Sequence, residues 1–126
     1  MKTLTKAEEQ IMQILWDLKE AIVKQVVDAF EEQKPAYTTV ATVLKVLEKK
    51  GFVGHRRIGN TYLFSPKVSK KEYTKVQFTS LLKNYFNGSF PKMATFFALE
   101  NNLSIEELED MLKITENELN KDENKK

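Results

Sequence analysis

Apolar residues first recur at helical spacing, then alternate like a strand, then return to helical spacing. Ile11, Ile14, Leu15 and Leu18 predict a first helix over residues 6–19, with Met12 and Trp16 widening its apolar face. Thr5-Lys-Ala-Glu8 is a capping-box pattern at its start. Ile22, Val23, Val26, Val27 and Phe30 predict a second helix over 22–32, stopped by Lys34-Pro35 because the residue before proline is pushed out of the helical region. Thr38 and Thr39 are N-cap types, and a third helix follows to Lys50 with Val40, Val43, Leu44 and Leu47 as its stripe. Gly51 supplies its stop. Phe52-Val53 and His55–Ile58 then lead to Gly59-Asn60 and Thr61–Phe64, a hairpin that Ser65-Pro66 ends.

The remainder is helical again. Ser69-Lys-Lys-Glu72 is a second capping box, opening a helix to Phe86 that Asn87-Gly88 terminates. A short helix is expected over Phe90–Asn101, and Ser104-Ile-Glu-Glu107 opens another to Asn117. The charged tail Asn120–Lys126 is expected to fray. The fold class is mainly α. With Pro66–Val68 as the boundary, residues 1–68 form one domain and 69–126 a second.

Composition narrows the function. Zero cysteines exclude disulfides, thiolate zinc sites and a cysteine nucleophile, and one histidine excludes a multi-histidine metal site. No apolar run reaches the roughly 20 residues of a membrane span, so no membrane insertion is expected and the compartment reads as cytoplasmic. The net charge of +2 hides an asymmetry. Residues 1–75 hold 14 Lys and Arg against 9 Asp and Glu, a net of +5; residues 76–126 hold 6 against 9, a net of −3. A basic front and an acidic back suggest two parts with different partners.

Three helices followed by a hairpin is the order of a winged helix-turn-helix, whose third helix must bury one stripe and offer the other to a major groove. The non-core positions here are Thr38, Thr39, Thr42, Lys45 and Lys49. Threonine is a mediocre helix former, so three within five positions are not chosen for helicity. Their hydroxyls can bond bases or phosphates, the lysines can neutralise phosphates, and Ala41 could lie against a thymine methyl. Arg56 and Arg57 make a basic wing, with His55 and Asn60 beside them. Tyr37 can stack on a sugar–phosphate or pack at the helix start, and packing is preferred. Trp16 reads as core.

After the hairpin, apolar residues crowd a short helical segment. Tyr73, Val76, Leu81, Tyr85, Phe90, Phe96, Phe97, Leu108, Met111 and Leu112 are the candidate dimer interface, since such a trio of helices cannot hide that surface alone; the alternative is that these helices fold back on the N-terminal domain. Enzyme readings find no ordered triad and no glycine-rich phosphate loop, and no cofactor or metal is expected. The reading is a homodimeric DNA-binding protein on a dyad operator; the alternative is a winged-helix protein-interaction adaptor without DNA binding.

Leu4-Thr-Lys-Ala-Glu-Glu-Gln-Ile-Met-Gln-Ile-Leu-Trp16 and Tyr37-Thr-Thr-Val-Ala-Thr-Val-Leu-Lys-Val-Leu-Glu-Lys-Lys-Gly51 resemble the BlaI/MecI family of penicillinase repressors. The wing Gly54–Pro66 and the segment Phe97–Leu108 continue the resemblance over nearly the whole chain. It implies a dimeric winged-helix repressor on a dyad operator, serving β-lactam resistance or stress genes. It also implies a membrane sensor metalloprotease that triggers cleavage in the C-terminal helices. The family's scissile Asn-Phe bond falls at Phe96-Phe97, where the asparagine is absent, so cleavage there would need another specificity. The family's copper-responsive branch ends in a cysteine-rich site, which this chain lacks.

Overall fold

The computed structural model describes residues 2–124. The chain divides into two compact units, Met1–Phe78 and Thr79–Lys126. In the first unit, α1 (Lys6–Leu18) begins on the expected capping box: the Glu8 amide donates to Thr5 Oγ1 at 3.2 Å and the Thr5 amide to Glu8 Oε1 at 2.8 Å. Ile11, Met12 and Leu15 form its buried stripe.

Helix α2 (Val23–Ala29) is shorter than the apolar spacing suggests. Phe30 turns extended and packs against the core, and Lys34 Nζ donates to the carbonyls of Asp28 and Phe30 at 2.7 and 2.8 Å. Tertiary packing and a lysine cap thus end the helix well before Pro35. Helix α3 (Tyr37–Lys49) starts before the threonine pair. Its N-cap is Ala36, so Thr38 and Thr39 are helical residues on the surface, not caps. Val40, Leu44 and Leu47 are fully buried. The helix closes in a Schellman arrangement: Gly51 (φ 87°) donates to Glu48 O at 3.0 Å and Phe52 to Leu47 O at 2.9 Å.

Strands β1 (Val53–Ile58) and β2 (Thr61–Pro66) pair antiparallel with Ile58 opposite Thr61 and Val53 opposite Pro66. At the turn Gly59 takes φ 58° while Asn60 does not go positive, the sense of a type II′ hairpin. Ala21, between α1 and α2, exchanges two backbone hydrogen bonds with Phe64, at 2.9 and 2.8 Å. This bridge adds a one-residue third strand that the sequence pattern does not reveal.

Helix α4 (Lys70–Phe86) opens on Ser69, whose Oγ accepts from the Glu72 amide at 3.0 Å. Its residue Tyr73 is 5% exposed, lies against the rings of Trp16 and Phe52, and donates to Glu9 Oε2 at 3.0 Å. The division between units therefore falls inside α4. Trp16 Nε1 donates to Val68 O at 2.9 Å, so Trp16 is a packing residue as expected.

The second unit holds the end of α4, then α5 (Phe90–Glu100) and α6 (Ile105–Asn124). Ser89 and Ser104 cap the latter two, accepting from the amides of Lys92 and Glu107 at 3.2 and 3.1 Å. α6 runs past the expected Asn117: Glu, Leu and Lys are good helix formers, and Lys121 pairs with Glu118 at 3.6 Å. The expected frayed tail is thus helical to Asn124, and its last two residues lie outside the described ones. Neither α5 nor the described side chains of α6 include a buried residue. Among the described residues no helix is long and apolar enough to cross a membrane.

Candidate nucleic-acid interface

At 100° per residue the solvent side of α3 is an arc of about 120°. Across it stand Lys45, Thr38, Lys49, Thr42, Val46 and Thr39, all exposed, while Val40, Leu44 and Leu47 anchor the opposite side in the core. Among the described residues neither Lys45 nor Lys49 has an acidic partner. Thr42 Oγ1 donates to Thr38 O at 2.9 Å, which uses the hydroxyl's only hydrogen and leaves an acceptor and a methyl group. No side chain caps the helix start, so the first-turn amides are directed at solvent where a phosphate can accept from them. Tyr37, 56% exposed at the first helical position, does not pack there as preferred.

Lys50 faces elsewhere. Its Nζ meets Glu8 Oε1 at 2.7 Å, and Glu8 is the buried charged residue of the first unit, 4% exposed. Burial alone would push the Glu8 carboxyl up; the Lys50 ammonium and the amide and hydroxyl of Thr5 outweigh it and hold the carboxyl below the usual range. Spacing exposed only the local half of this arrangement, the Thr5–Glu8 capping box, because Lys50 arrives from the end of α3.

The hairpin sorts its candidates by pleat. Successive residues of a strand project to opposite faces, so His55 and Arg57 share one face and Arg56 the other. Arg57 Nε donates to Gly59 O at 3.0 Å, which steadies the guanidinium at the tip. Arg56 lies 3.7 Å from Glu20, an exposed and loosely held pair. Asn60 is exposed in the turn. His55 Nδ1 hydrogen-bonds Glu48 Oε2 near the end of α3, and its ring meets Tyr62 edge-on at 4.7 Å. His55 therefore ties the wing's base to α3. Tyr62, 48% exposed across from Arg57, is a wing residue the sequence did not single out. Its position becomes legible only once the strand register is known.

Of the candidate interface residues, Tyr73 is the correction. It is buried in the first unit, where desolvation and the Glu9 hydrogen bond push its hydroxyl up to about 12. The other nine are exposed: Val76, Leu81, Tyr85, Phe90, Phe96, Phe97, Leu108, Met111 and Leu112.

Comparison with known proteins agrees with this architecture. The chain is 25% identical to the penicillinase repressor of Bacillus licheniformis over 94% of its own length and 93% of that protein. It is 24% identical to the methicillin resistance regulatory protein MecI of Staphylococcus aureus (strain N315), covering 88% of this chain and 91% of that one. Its fold matches the solution structure of the DNA-binding domain of the repressor BlaI with a TM-score of 0.50 at 23% identity, over 58% of this chain and 94% of that one. A family model described as penicillinase repressor matches residues 4–117, and the chain, with its winged-helix fold, belongs to that family.

Proposed function

We propose that the chain represses transcription as a homodimer, each protomer laying α3 in the major groove of one half of a dyad operator. The observation that carries the reading is the outward face of α3: three threonines and two lysines without acidic partners among the described residues, above an uncapped helix start. Thr38, Thr39, Thr42 and Tyr37 meet the groove and its edge, Lys45 and Lys49 meet phosphates, and Arg56, Arg57 and Asn60 extend the contact through the wing. His55 supports the wing through Glu48.

Self-association is supported by the second unit. Eight of the nine exposed candidate residues, Leu81 to Leu112, belong to it and lie 39–75% exposed, a density of apolar surface that soluble monomers rarely leave uncovered. A second copy supplies the cover and doubles the phosphate contacts. Sedimentation of the full chain tests this, with a dimer expected and a monomer at micromolar concentration contradicting it. Duplexes selected from a random pool should carry two inverted half-sites about one helical turn, or a multiple, apart; single unrepeated sites would contradict the dyad.

Induction by a membrane sensor metalloprotease is the finer part of the reading. Phe96 and Phe97 are 54% and 61% exposed but lie midway along α5. A protease takes extended backbone, so cleavage there requires α5 to open first. Mass spectrometry of the chain from induced cells should find fragments ending at Phe96; an intact chain under full induction would remove proteolysis from the mechanism.

A further inference from the structure

The two edges of the α3 arc differ in chemistry. Lys45 and Thr38 form one edge; Val46 and Thr39 form the other, with Thr42 between them. Val46 is 41% exposed, while Val40, Leu44 and Leu47 complete the buried stripe without it. A solitary exposed valine is common on protein surfaces and needs no explanation. This one stands one turn from Thr42, whose hydroxyl hydrogen is held by Thr38 O, so the two residues together present methyl groups and no donor. The helix carries no Arg, Asn or Gln, the residues that most often pair with guanine or adenine edges through two hydrogen bonds. What a methyl surface can recognise in a major groove is the one apolar group displayed there, the C5 methyl of thymine.

We propose that Val46 and the Cγ2 methyl of Thr42 form a thymine-methyl reader that sets the base preference of this chain. The inference rests on the proposed seating of α3 in the major groove. The two residues are four positions apart, a rise of about 6 Å, close to two base steps of about 3.4 Å. The thymines they read therefore lie within about two base pairs of each other in each half-site. Lys45, on the far edge of the arc, takes no part in this contact.

The test uses the full chain and a duplex selected from a random pool, with each thymine replaced in turn by deoxyuridine. Uracil pairs like thymine and lacks only the methyl group. Affinity should fall about three- to fivefold at one or two positions per half-site, the transfer value of a buried methyl, and stay level elsewhere. Val46→Ala and Thr42→Ser, which leave the buried stripe untouched, should each abolish the uracil effect at one position. Neither should change the salt dependence. A bound duplex indifferent to uracil at every thymine would overturn the inference, as would uracil effects that both variants leave unaltered, while the DNA-binding reading survived. Failure to recover any bound duplex would overturn both.

Discussion

Glu8 acts at two ranges at once. Its carboxylate closes the first turn of α1 through the Thr5 amide and pairs with Lys50, 42 positions later. Glu8→Gln keeps an acceptor for the cap and removes the charge, so it should cost about 1 kcal/mol; Glu8→Ala removes both and should cost about 2 kcal/mol. Because the folded carboxyl titrates below its ordinary value of 4.5, its contribution is full above that value. It is lost as pH falls through the lower, folded one. Thermal melting against pH should show an acid-side decline that is shallower in Glu8→Gln; identical slopes would deny Glu8 this role. Tyr73 has the opposite sign. Its hydroxyl, raised from 10.0 to about 12, contributes fully below pH 10 and loses that contribution as pH rises toward 12. Tyr73→Phe should cost about 1 kcal/mol at neutral pH and flatten the alkaline decline, whereas an unchanged alkaline limb would place the titration elsewhere. The tyrosine was legible as an apolar helical position but not as to which surface it covers: Trp16, Phe52 and Glu9 come from distant segments that only the fold assembles.

Among the elements, α3 and the wing show what local pattern can and cannot carry. The buried stripe of α3 and its glycine stop were readable because both are periodic or stereochemical. Gly51→Ala places a side chain where space is open but φ is 87°; the strain should lower stability by about 1 kcal/mol, and an unchanged melting temperature would argue against the left-handed stop. The start of α3 departs from its local signal: Thr38 and Thr39 have cap chemistry, yet Ala36 takes the extended conformation and sends both threonines to the outer face. The Ala21–Phe64 bridge was invisible, since a single paired residue has no period. Lys45→Ala should weaken operator binding and make the salt dependence less steep by about two ions per dimer. An unchanged slope would remove Lys45 from the phosphate contacts.

For the whole molecule, the charge division of +5 and −3 coincides with a division of burial. Core residues extend only to Tyr73, and every residue described from Thr74 onward is exposed or half-buried. Composition could locate the apolar crowding after the hairpin, but not that the first turns of α4 belong to the winged-helix core. A chain ended at Pro66 lacks Val68 and Tyr73 and should melt well below one ended at Phe78; equal melting points would contradict that placement. The second fragment should be monomeric and bind DNA weakly. The most direct measurement of the central claim is the affinity of the full chain for a selected dyad duplex as salt is varied. Contacts from Lys45, Lys49, Arg56 and Arg57 of two protomers predict a straight log–log decline with slope of roughly −7. Absence of binding at about 50 mM salt, or an affinity indifferent to salt, would contradict it.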